Sequence, residues 1–223
     1  MPHLSDDESR NRFLKGTYMV LAIHWGIITL CSLLPLWSQN LRIFLQDQNE
    51  TFVIMGVYLG VIVCITACFG LHRKVPWNLG ALAVFTLAWI LVIPTVTAAS
   101  ESYGAIFVFG TLTVAALFIS LVSCVERWNA LSWTSVLVIM VSVIGSHLVL
   151  YRYSKESPEL VSVSLGLCVL SILYLLADSV SIMGRSNLKL EDDEYVFGAM
   201  TLYLDLLVRT TDWISGRCCR CLQ

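Results

Sequence analysis

Apolar residues run along this chain in long blocks separated by short polar breaks. Charge-free windows fall at 16–41, 51–72, 75–100, 102–125 and 128–151, and a sixth, 160–177, ends on Asp178. A hydrocarbon core about 30 Å thick needs roughly 20 apolar residues per helix, so each block predicts one membrane-spanning helix. Barrel strands would instead alternate apolar and polar positions over about ten residues. The breaks are brief: His72-Arg73-Lys74, Glu101-Ser102, Glu126-Arg127 and the five residues from Arg152 to Glu156. Successive helices are therefore antiparallel, with no soluble domain between them. The predicted fold class is an all-α, multi-pass membrane protein. A tail over 1–16 precedes a polytopic membrane domain over 17–216, and a Cys-rich tail covers 217–223.

A seventh stretch, 195–216, differs in kind because it carries Asp205, Arg209 and Asp212 within one helix length. Intramembrane charges face a bundle interior or a wet cavity. The stretch thus reads either as a central helix surrounded by six others or as a re-entrant segment after six spans. Basic residues orient the chain. With the N-terminus in the cytosol, eight Lys and Arg residues before or between spans lie on that side, against Arg42, Arg152 and Lys155 on the other. A re-entrant last segment would also keep Arg217 and Arg220 in the cytosol. Trp37, Trp77, Trp128 and Trp213 sit near span ends, where an indole suits the headgroup level.

Composition sharpens the picture. Of 223 residues 57% are apolar and 13% charged, about half the roughly 25% charge of a soluble domain, and mean hydropathy is +0.76. Soluble enzymes, nucleic-acid binders and disordered regulators are poor fits. No P-loop, GxSxG, HExxH or Gly-rich dinucleotide pattern appears, so neither an enzyme nor a cofactor is expected. The residues before Tyr18 are polar without a cleavable-signal pattern, which makes the first span a signal anchor.

Asp178 and Asp205 carry the most information. Placing a carboxylate near mid-bilayer costs on the order of 3 kcal/mol on insertion scales. Two that approach each other titrate as a unit, which suits a proton-sensitive gate or a weak calcium site built from oxygen ligands. The plainer reading is that Asp178 merely ends its helix and Asp205 pairs with Arg209 one turn on. Asp212 lies beside Trp213 and the tail, and the acidic run 191–194 suits a helix N-terminus. His24 and His147 lie in apolar spans without a partner recognisable in sequence. Gly56, Gly60, Cys64 and Cys68 recur every fourth residue, a small-residue face for close helix packing within the chain or, alternatively, for dimerisation. Cys218, Cys219 and Cys221 lie beside basic residues at a membrane edge, as palmitoylated cysteines do, and form no complete zinc set. Asn49-Glu50-Thr51 matches the glycosylation acceptor pattern, close against the membrane.

The run from Glu194 to Asp205, Glu-Tyr-Val-Phe-Gly-Ala-Met-Thr-Leu-Tyr-Leu-Asp, resembles the C-terminal signature of the transmembrane Bax inhibitor motif family, which includes Bax inhibitor, the Lifeguard proteins and the Golgi anti-apoptotic proteins. Asp178 matches the family's other intramembrane aspartate. Weaker similarity covers His72-Arg73-Lys74 with Pro76 and Asn78, Phe85-Thr86-Leu87, and Phe44-Leu45-Gln46. The resemblance implies six helices around a central one, or six spans plus a re-entrant segment. It implies a pH-sensitive calcium leak in the endoplasmic reticulum or Golgi that restrains apoptosis. It also implies that Asp178 and Asp205 hydrogen-bond to each other and gate the leak, with Arg73 the nearest match to a basic latch residue. There are departures. Ser179-Val180 stand where the family has Thr-Gln, and Trp89 replaces an acidic residue of the third span. The aspartates are 27 positions apart, a wider spacing than the family's. Arg209 adds a fixed positive charge beside Asp205. Such divergence in a short chain is similar to the family's viral members, in poxviruses and cytomegaloviruses.

The expected function is a calcium-permeable leak channel gated by the aspartate pair, with the bilayer and calcium ions as partners and no nucleic acid. A non-conducting adaptor that binds membrane proteins is the alternative, and a proton-coupled transporter the third.

Overall fold

The computed structural model describes residues 7–68, 77–124, 132–153, 156–184, 194–203 and 205. Every regular element among them is an α-helix: α1 (Asp7–Trp37), α2 (Gln39–Asp47), α3 (Asn49–Cys68), α4 (Trp77–Ser100), α5 (Gly104–Val122), α6 (Trp133–Tyr153), α7 (Pro158–Gly184) and α8 (195–203, with Asp205 again helical). Five of them, α1, α4, α5, α6 and α7, are long and apolar enough to cross a bilayer. The apolar α3, at 20 residues, has the length of a sixth span, since helices of this size can bond all of their backbone internally. The six windows expected from the sequence thus coincide with six helices, and the protein is a multi-pass membrane protein.

Two boundaries differ from expectation. The first helix begins well before its apolar window, because Phe13 and Leu14 are buried at 2% and 1% exposure and extend its packed face into the charged stretch. It then stops at Trp37, where Ser38 turns extended and caps a separate helix, its hydroxyl accepting from the Leu41 N–H. That helix, α2, buries none of its residues and leaves Ile43 and Phe44 exposed. A short amphipathic helix with bare apolar side chains suits the plane of the membrane interface. It is tied to the C-terminal end of α4 and the residue after it: Gln46 Nε2 donates to Ala98 O at 2.8 Å, and Arg42 faces Glu101 at 3.8 Å.

The core is built around α1, α5 and α8. Contacts at Lys15–Ser120, Gly26–Thr113 and Thr29–Gly110 run antiparallel along α1 and α5. On α8, residues 196–200, Leu202 and Tyr203 are all buried, so the helix is covered on nearly every side, as a central helix must be. Its seat on α1 is tight. A Cβ at Gly198 would lie 2.5 Å from Phe13 Cζ, and one at Gly16 would lie 2.8 Å from the Tyr195 side chain. The α3–α4 pair shows where the small-residue face goes: a Cβ at Gly56 would meet Val92 Cγ2 at 2.5 Å and Ala88 O at 2.8 Å, whereas Gly60 faces open space. Gly56 therefore serves packing within the chain. Trp37 and Trp77 are 83% and 65% exposed at helix ends, as expected at a headgroup boundary. Trp128 and Trp213 lie outside the described residues.

Candidate functional site

Asp178 does not end its helix. The α7 helix continues to Gly184, and Asp178 is 4% exposed, so the reading of a surface-terminating carboxylate fails for this residue. The side chains around it come from distant parts of the chain. Ser179 donates to Leu175 O at 2.8 Å; with its one proton used, its oxygen accepts from the Tyr18 hydroxyl at 2.8 Å. Tyr18 is 1% exposed. Tyr18 thus pins α1 to α7 beside a carboxylate held away from water. One residue before Tyr18, the Thr17 hydroxyl bonds Tyr195 O at 3.4 Å, so α1 touches α7 and α8 within one turn.

Asp205 is half-buried on α8, two residues beyond Tyr203. Tyr203 is the hub of an aromatic cluster: Phe85 at 4.8 Å, His24 at 5.1 Å, Trp89 at 5.9 Å and Trp25 at 6.2 Å between ring centroids. Most of these contacts are edge-on or tilted, the arrangements that ring quadrupoles favour. Trp89 also packs on Phe109 at 5.9 Å. Trp89 thus joins the wall around Tyr203.

His147 belongs to a different cluster. Its Nε2–H is shared between Val161 O at 3.1 Å and Ser164 Oγ at 2.9 Å. Its Nδ1 faces Thr111 Oγ1 at 3.0 Å. The ring is fully satisfied and staples α5, α6 and α7 together. Asn49 opens α3, directly after the α2 C-cap residue Gln48. Arg73, Arg209, Asp212, Cys218, Cys219, Cys221 and the acidic residues 191–193 lie outside the described residues, as do the side chains of Cys64 and Cys68. Sequence reasoning missed Tyr18 and the role of Ser179; the one available signal was a hydroxyl directly after the buried aspartate.

The family model described as "Inhibitor of apoptosis-promoting Bax1" matches residues 10–208. The chain belongs to this family. Protein lifeguard 4 of Mus musculus is 29% identical over 202 residues, covering 89% of this chain and 81% of the relative. Protein lifeguard 3 is 20% identical in Mus musculus and 19% in Homo sapiens, each over 208 residues, 91% of this chain and 67% of the relative. No solved structure matches the chain significantly. The matched region runs from the first turn of α1 through α8, so Tyr18, Asp178, Ser179 and Asp205 all fall within it.

Proposed function

We propose that this family member is a calcium-permeable leak of intracellular membranes, in the endoplasmic reticulum or Golgi with its N-terminus cytosolic, that lowers store calcium and thereby inhibits apoptosis. The observation that carries the reading is Asp178, a carboxylate 4% exposed inside a bundle of apolar helices, next to the Tyr18–Ser179 bond. A buried intramembrane carboxylate is costly and is kept where ions or protons pass. In the proposed mechanism Asp178 and Asp205 form a contact that closes the path around α8. Changing the protonation of the pair opens or closes it. Calcium takes six to eight oxygen ligands in a stable site; two carboxylates offer fewer, which suits a permeant ion that must leave again. The aromatic cluster around Tyr203 supplies the apolar narrowing that water crosses only when the helices part. Arg209 and Arg73 are the cations assigned to this latch, and Cys218, Cys219 and Cys221 the palmitoylation sites that would hold a cytosolic tail on the membrane.

The test is store calcium in cells expressing the wild type, Asp178→Asn or Asp205→Asn, followed by survival after an apoptotic stimulus. The proposal expects lowered stores and better survival with the wild type, and loss of both effects in the two variants at equal expression. Protection that persists with unchanged store calcium would favour the non-conducting adaptor.

A further inference from the structure

The α2 helix has both of its ends at one face of the membrane. The spanning helix α1 stops at Trp37, which is 83% exposed at the headgroup boundary, and α2 starts two residues later at Gln39. At the other end Asn49 opens α3, of spanning length, directly after Gln48. One helix leaves the bilayer where α2 begins and the next re-enters it where α2 ends. The nine residues between, about 14 Å of helix, therefore run along the bilayer surface.

At 3.6 residues per turn Leu41, Phe44 and Leu45 fall within an arc of about 100°, and Phe44 is 53% exposed. Gln39, Asn40, Ile43 and Asp47 lie across the helix from this arc. Phe44 packs on Phe52 of α3 at 5.7 Å between ring centroids. Phe52 shares its face of α3 with Met55, three residues on and 43% exposed. A bare apolar side chain on a spanning helix faces acyl chains, so the surface that Phe44 joins is the lipid-facing one.

Charge decides the kind of leaflet. The one cation of α2, Arg42, faces Glu101 at 3.8 Å, while Asp47 and Glu50 add negative charge at its C-terminal end. Interfacial helices that seek anionic lipid carry Lys and Arg on the polar face. We propose that α2 docks on a loosely packed, uncharged leaflet, where Leu41, Phe44 and Leu45 enter the gaps between zwitterionic headgroups. The protein itself holds α2 lightly enough for the lipid to set its seat. No residue of α2 is buried, and its polar ties to the end of α4 are the Gln46 hydrogen bonds and an exposed ion pair, which contributes little. Tight packing closes the gaps, and the helix then rides higher in the headgroups.

The experiment places a nitroxide at position 40, 44, 45 or 47 of the full chain in lipid nanodiscs, carried on a genetically encoded keto amino acid so that the native cysteines stay. Collision with oxygen reports lipid, and collision with a water-soluble nickel chelate reports water. Each ratio is taken against a label at Ile54, 68% exposed on α3, which senses the same change in oxygen solubility. In dioleoylphosphatidylcholine oxygen should dominate at 44 and 45, and the chelate at 40 and 47. In dipalmitoylphosphatidylcholine with cholesterol the oxygen preference at 44 should fall about threefold, and phosphatidylserine added to the dioleoyl bilayer should leave it unchanged. Phe44→Gln should lower the preference read at 45. Equal ratios at 44 and 40 would overturn the proposal. So would a preference unmoved by packing, one raised by phosphatidylserine, or one at 45 indifferent to Phe44→Gln.

Discussion

Replacing Gly198 by alanine tests the seating of the central helix. The new Cβ would stand 2.5 Å from Phe13 Cζ, 2.9 Å from Phe13 Cε2 and 2.9 Å from Thr17 Oγ1, where ordinary contacts begin near 3.5 Å. Phe13 is 2% exposed, so its ring has little room to yield. Overpacking of a closed core costs about 1–3 kcal/mol, and a clash of this depth belongs at the upper end. Alanine also improves helix propensity over glycine by about 1 kcal/mol. The net loss is then about 2 kcal/mol, or about 30-fold in the folding equilibrium. Gly166→Ala on α7, where a Cβ meets nothing within 4 Å, is the internal control and should be neutral or stabilising. Purified variants would be unfolded from mild detergent by SDS titration with tryptophan fluorescence as the readout. Shortening the ring in Phe13→Leu/Gly198→Ala should recover at least about 1 kcal/mol relative to additivity. A Gly198→Ala protein as stable as the Gly166→Ala control, or a double variant that is simply additive, would refute the packing argument.

Three further outcomes follow from the same geometry. Gly56→Val should loosen α3 from α4, since its Cβ would meet Val92 and the Ala88 carbonyl, whereas Gly60→Val should leave stability unchanged; engineered cysteine crosslinks between the two helices would report it. His147→Phe keeps the bulk but takes away the Nδ1 acceptor of the Thr111 hydroxyl in the membrane, a loss of about 1–3 kcal/mol measurable by the same SDS titration. Tyr18→Phe removes the bond to Ser179, costing about 0.5–1.5 kcal/mol, and on the proposed mechanism it also alters the pH response of calcium flux.

The membrane class and six of the helices were legible in the charge-free windows, because a bilayer demands unbroken apolar runs and little else. The start of α1 was not, since its packed residues there are only Phe13 and Leu14 set among Arg12 and Lys15. The α2 helix escaped for a related reason. It is nine residues long, too short and too polar for a span, and Ser38 was its only written signal. The two aspartates stood out by their cost in lipid, but their surroundings did not. Tyr18 lies 161 positions from Ser179, His24 lies 62 from Thr86, and neither pairing follows from helical spacing. Such contacts are set by how whole helices dock. The same limit left His24 and His147 indistinguishable in sequence, although the structure satisfies both nitrogens of one and only one of the other.

The central claim, a path gated by the Asp178–Asp205 pair, is tested most directly by calcium flux into liposomes holding the purified protein at about pH 6 and pH 8. The account predicts a flux that differs between the two pH values in the wild type and loses that difference in both Asp178→Asn and Asp205→Asn. A flux equally pH-dependent in both variants would contradict the gate. No flux above protein-free liposomes, from protein that unfolds cooperatively, would contradict the channel itself.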